Sequence, residues 1–114
     1  MPIIRNIKTK QKKNGTSYQV TVTVGEDTTN SVKTVDVYIP AVSGQPDPEP
    51  ENVTLNYSGT SGEDRIFSYE DLGFSSNAAG LTYEMTATMK NNTGGTIGTP
   101  VAEPVLVEEY NEEA

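Results

Sequence analysis

Gly80-Leu81-Thr82-Tyr83-Glu84-Met85-Thr86-Ala87-Thr88-Met89-Lys90, closed by Asn91-Asn92-Thr93-Gly94-Gly95, decides the fold class of this chain. Leu81, Tyr83, Met85, Ala87 and Met89 share one parity, while Thr82, Glu84, Thr86, Thr88 and Lys90 share the other. Successive side chains of a strand point to opposite faces, so the segment has one apolar face and one wet face. The Asn/Gly-rich pentad then ends it as a turn.

The same two-residue period returns on both sides. Ile3 to Lys13 reads as a first strand with Ile3, Ile4 and Ile7 as its apolar content, and Asn14-Gly15 supplies the positive-φ pair of a tight hairpin. Tyr18, Val20, Val22 and Val24 mark the inward face of a second strand, followed by a loop at Gly25–Ser31. Val32 to Ile39 gives a third, with Val35, Val37 and Ile39 on one side and Thr34, Asp36 and Tyr38 on the other. The stretch from Pro40 to Glu51 holds four prolines in twelve residues and reads as a loop or edge crossing. Val53, Leu55 and Tyr57 predict a short fourth strand, and Arg65 to Tyr69 a fifth. Glu70 to Gly80 is mixed, with room for one helical turn at Asn77-Ala78-Ala79. After the sixth strand, Ile97 to Tyr110 predicts a seventh, which Pro100 and Pro104 confine to an edge or a bulge.

Composition bounds the rest. A chain of 114 residues makes one domain, and an apolar content of 33%, with two Phe and no Trp, requires a thin core. The domain is expected to span residues 1–110, leaving 111–114 as an acidic tail. No run approaches the ~18 apolar residues of a membrane span, so a soluble chain is expected. Met1-Pro2-Ile3-Ile4-Arg5 carries no secretory signal pattern, and the absence of cysteine fits folding in a reducing cytoplasm. The net charge of −8 is unevenly spread. Arg5, Lys8, Lys10, Lys12 and Lys13 make the first strand basic, whereas Glu103, Glu108, Glu109, Glu112 and Glu113 make the C-terminal stretch acidic. The two ends are expected either to attract each other or to be solvated surface.

Seven short strands with frequent turns predict an all-β, antiparallel two-sheet Greek-key sandwich. The Gly80–Ala87 segment, its Asn/Gly turn and the Pro-containing last strand resemble the F–G hairpin of immunoglobulin-like and fibronectin type III-like domains. That resemblance implies that Tyr83 closes a corner between strands through its hydroxyl. The chain departs from the pattern in having no Trp and no cysteine pair. A small β-barrel of the same strand number is the structural alternative.

Candidate chemistry is sparse. There is no His and no Cys, so the commonest general base and the best nucleophile are missing. Glu26-Asp27, Glu63-Asp64 and Glu70-Asp71 are carboxylate pairs, but they sit in Gly/Ser/Thr-rich segments where water is expected to keep both ionised. Asp47, Glu49 and Glu51 alternate with prolines, which is too straight an arrangement to curl around calcium. Lys8, Lys10 and Lys12 share a face that fits phosphates or, more simply, a strand edge guarded against aggregation. No charged residue stands out at an inward parity to support a Lys–Asn cross-link. Sequons at Asn14, Asn52, Asn56 and Asn91 are expected by chance in a chain rich in Asn, Ser and Thr. No catalytic, cofactor or metal residue is therefore assigned.

The expected function is that of a non-enzymatic virion structural protein, a decoration or head/tail accessory protein of a tailed bacteriophage. The resemblance carries this expectation, because immunoglobulin-like domains are frequent in such particles. Its partners would be capsid or tail subunits or copies of itself, with no nucleic acid and no membrane, and its place the virion after synthesis in the host cytoplasm. The alternative is a carbohydrate- or protein-binding adhesion module. In that case Tyr38, Tyr57, Tyr69 and Phe74 are candidate platforms for a host-surface glycan. An acidic mimic of nucleic acid would need carboxylates spaced like phosphates on one face, and the mixed parity of the acids opposes it.

Overall fold

The computed structural model describes residues 2–12, 17–40, 51–73 and 79–110, with only the backbone at Glu51, Asp71 and Gly73. Each alternating segment forms a strand: β1 (Ile3–Gln11), β2 (Ser17–Gly25), β3 (Thr34–Ile39), β4 (Glu51–Ser61), β5 (Asp64–Gly73), β6 (Thr82–Lys90) and β7 (Thr96–Glu108). They join in the order β1-β2-β5-β4-β3-β6-β7, and β7 returns to β1. Every pairing is antiparallel except the last, in which β7 runs parallel to β1 at Thr9↔Val107 and Lys10↔Glu108.

This closed seven-strand barrel replaces the expected two-sheet sandwich. A sandwich needs a gap in the hydrogen-bonded order between its two sheets. Here β3 and β4 pair through six positions, from Thr34↔Asn56 to Ile39↔Glu51, so that gap is bridged. The proline-rich stretch read as a loop or edge crossing falls mostly on residues 41–50, which with Asp47 and Glu49 lie outside the described residues. The barrel has principal extents of 40 × 32 × 20 Å, and its thin dimension suits the small apolar supply.

The inward face is filled by side chains, as in other small barrels. Tyr18, Val20, Val22 and Val24 of β2, Val35, Val37 and Ile39 of β3, and Tyr83, Met85, Ala87 and Met89 of β6 are all buried, as their parity predicts. Leu55, Phe67, Val105 and Val107 complete the core from the remaining walls. Tyr83 is a core side chain, and residues 74–78, on which its expected corner role depends, lie outside the described residues.

Four register shifts among the described strands were not legible as parity, one of them in β4 between Tyr57 and Gly59. Ile4 packs against the core and Ile7 is buried, although they are three positions apart and so of opposite parity. A bulge makes both possible: Ile4↔Val24 is followed by Asn6↔Thr23, leaving Arg5 as the extra residue. Its guanidinium lies over Gly25, where an added Cβ would collide with it. In β5, Val20↔Tyr69 steps to Tyr18↔Leu72, which turns Leu72 inward. In β7, Ala87↔Val101 steps to Met89↔Ile97 around Gly98, whose φ is 68°, and Pro100 falls within that irregularity. Pro104 uses the other permitted position. The Val107 amide donates to the Leu81 carbonyl at 2.8 Å, so alternation aims the Pro104 nitrogen away from β6, where no donor is needed.

The β6–β7 turn shows why its sequence matters. Asn91 Oδ1 accepts from the Thr93 amide (3.0 Å), the Thr93 hydroxyl (2.8 Å) and the Gly95 amide (2.8 Å), while Gly94 takes a φ of 84°. Asn91→Ala is expected to remove about 1 kcal/mol of stability, measured by urea denaturation, because the site is open enough for water to replace part of what is lost. Among the described residues, no helix is long and apolar enough to cross a membrane.

Candidate functional site

Two places on the barrel carry side chains whose arrangement alternation alone does not explain. The first is one barrel end, where Arg65 occupies an inward position opposite Val24. A charge at that parity needs a partner, and the β2–β3 loop supplies Asp27. The Asp27 carboxylate is wholly buried and Arg65 is 12% exposed, with Nη1–Oδ2 at 2.5 Å. Asp27 also accepts from the Ser31 amide (2.9 Å), the Ser31 hydroxyl (2.8 Å) and the Val32 amide (3.1 Å). Arg65 further donates to the Val32 carbonyl at 2.7 Å and packs over the rings of Tyr57 (4.8 Å) and Phe67 (5.1 Å).

Burial by itself raises the Asp27 pKa. The hydrogen bonds from Ser31, Val32 and Arg65 outweigh it and leave the carboxyl below its ordinary value of 3.8. A carboxylate with four donors and a lowered pKa is a poor general base. It is instead the tie that holds the loop, in which Glu26 and Asn30 adopt left-handed φ values of 58° and 54°. The expectation that water surrounds Asp27 is thus corrected. The signal was available, since Arg65 shares parity with Phe67 and Tyr69.

The other carboxylates stay at the surface. Asp64 pairs with Arg5 at 3.0 Å, an exposed contact worth about 0–1 kcal/mol, and Glu26 and Glu63 are exposed beside it. Glu70 accepts from Gln19 Nε2 at 2.7 Å on the outer face. The side chains of Glu51 and Asp71 lie outside the described residues. Among those described, no group of three or more acids is placed to hold a metal.

The second place is the seam between β1 and β7. Two backbone pairs hold it, flanked by two side-chain bonds: Ile7 N–H to Glu103 Oε1 at 3.2 Å and Tyr110 N–H to Gln11 Oε1 at 3.2 Å. At that point β1 is paired on both sides, so its lysines do not guard a free edge there. Inside the seam Thr9 is buried and donates to Met85 Sδ at 3.3 Å. Outside it lies an open groove of about 590 Å³, lined among others by Lys10, Lys12, Leu106, Glu108, Glu109 and Tyr110. Leu106 is 55% exposed because it takes the outward parity between buried Val105 and Val107. The basic first strand and the acidic C-terminal stretch therefore meet here, with Lys10 and Glu108 opposite in register. Lys8 is exposed one step along the outer face, and Lys13 lies outside the described residues.

Of the aromatic candidates, Tyr38 and Tyr57 are exposed, Tyr69 packs against the core, and Phe74 lies outside the described residues. The chain matches no protein-family model and no curated protein. The resemblance to immunoglobulin-like and fibronectin type III-like domains of tailed-phage particles is therefore overturned: no family match stands behind it, and the closed barrel departs from it.

Proposed function

We propose that this protein is a non-enzymatic structural component. It docks on a repeated protein lattice, such as that of a virus particle, through the groove along the β1–β7 seam. One observation carries the reading: Leu106 and Tyr110, 55% and 37% exposed, sit in the groove between charges of both signs. An exposed apolar centre ringed by charged side chains is the anatomy of a protein interface, in which the centre holds and the rim selects. Opposite charges on the two strands favour a partner with complementary rows and oppose a uniform polyanion. A single groove of this size binds weakly. On a lattice, many copies and neighbouring contacts raise the effective concentration, so weak docking becomes stable decoration.

The test is co-sedimentation with assembled shells and tails of tailed bacteriophages. Leu106→Asp is expected to lower binding at least tenfold, the loss of about 1.4 kcal/mol or more typical of an interface centre, with an unchanged melting temperature. Equal binding by Leu106→Asp and the native protein would remove the groove from the mechanism. Absence of binding to every such assembly would remove the lattice.

A further inference from the structure

We propose that the outer face of β3, centred on Tyr38, is a binding platform for a neutral sugar ring, separate from the seam groove. Tyr38 is 45% exposed on the outer face of β3, one residue before the strand ends at Ile39. Its partners in register are Asn52 on β4 and Thr86 on β6, with Ala102 on β7 beyond Thr86. One step along, Asp36 stands between Thr54 and Thr88. All these register neighbours except Asp36 are short and uncharged, and among the described residues Tyr38 keeps 45% of its surface exposed.

The other described aromatic rings differ. Tyr18, Phe67 and Tyr83 are buried, Tyr69 packs on the core, and Tyr110 borders the seam groove. Tyr57 is exposed, but Arg65 already covers its ring. Tyr38 is thus the aromatic of the β4–β3–β6 wall that is placed to receive a ligand.

The chemistry of the wall selects the ligand. One face of a pyranose carries C–H groups that pack on an aromatic ring, while its rim carries hydroxyls that need donors and acceptors. Residues opposite one another on paired strands have Cβ atoms about 4.5–5.5 Å apart, the scale of one sugar ring. The Asn52 amide and the Thr86 and Thr88 hydroxyls therefore surround a ring stacked on Tyr38 with groups that both donate and accept. Thr54 already donates to Asp36 at 3.0 Å, leaving its oxygen to accept. Asp36 and Glu84 bring negative charge, and none of the positions paired with Tyr38 or Asp36 is a lysine or arginine. Anionic glycans and phosphates are repelled, so the occupant is a neutral sugar polymer.

The experiment is affinity electrophoresis of the native protein through gels containing a β-glucan, a galactomannan, a xylan or, as the anionic control, heparin. Retardation by at least one neutral polymer and none by heparin is expected. Tyr38→Ala should weaken that retardation at least tenfold at an unchanged melting temperature, and Tyr38→Phe, which keeps the ring, should retain most of it. Leu106→Asp should bind sugar normally and Tyr38→Ala should bind the lattice normally, which separates this site from the docking groove. No retardation by any neutral polymer, equal retardation of Tyr38→Ala, or a preference for heparin would each overturn the proposal.

Discussion

Asp27→Ala is expected to lower folding stability by about 3–5 kcal/mol, a large penalty for a residue in a polar loop. The change leaves the Arg65 charge at the barrel end without its partner and strands the Ser31 and Val32 amides, which both donate to Asp27. For a chain of this length the loss corresponds to a fall in melting temperature on the order of 10–20 °C. Equilibrium denaturation of Asp27→Ala, Arg65→Met and the double variant measures the coupling. The double variant should be more stable than Asp27→Ala, because removing both charges leaves none unpaired. A loss below about 1 kcal/mol for Asp27→Ala would mean that the pair is not closed in solution.

The same carboxylate sets an acid limit. Its folded pKa lies below the ordinary value, so as pH falls the unfolded chain takes up the proton first. The contribution is complete above the ordinary value of 3.8 and disappears as pH drops through the folded one. Stability measured from pH 6 down to pH 2 should therefore fall less steeply for Asp27→Asn than for the native protein, if the remaining amide contacts keep that variant folded. Parallel curves would place the acid sensitivity elsewhere.

Removal of residues 3–11 is expected to abolish cooperative folding altogether. This segment pairs with β2 from Ile3↔Gly25 to Gln11↔Tyr18 and, through its two pairs with β7, closes the sheet into a barrel. Its loss opens the barrel along its length, takes Ile7 and Thr9 from the interior, and leaves Val107 without a neighbour on that side. Circular dichroism should show no melting transition, and a hydrophobic dye should bind strongly. A milder version, Ile7→Ala, should fold with a loss of about 2–5 kcal/mol. A truncated protein that melts like the native one would show that β1 is an appendage and that closure contributes nothing.

How much of this was readable beforehand differs from segment to segment. In β2, β3 and β6 the inner face followed directly from parity, because every inward residue from Tyr18 to Val24 and from Tyr83 to Met89 is apolar. In β1 the rule broke at Arg5, since a bulge is a decision about pairing and not about composition. The fourth strand was read as short because its apolar residues stop at Tyr57. In the barrel it runs on to Ser61, held by pairing with β5 through Gly59↔Ile66 and Ser61↔Asp64. The groove around Leu106 was hidden for a similar reason: its two walls come from opposite ends of the chain.

Taken alone, the order of residues determined that the chain is extended in seven places and which side of most strands is dry. Those properties depend on neighbours one or two positions apart. Whether the ladder stops between β3 and β4, or passes through them and closes at β1 and β7, was decided only in three dimensions. Backbone amides and carbonyls look alike at every residue, so an alternating strand pairs equally well in an open or a closed sheet. The burial of Asp27 was decided the same way, by the arrival of Arg65 from a strand 38 residues further along the chain.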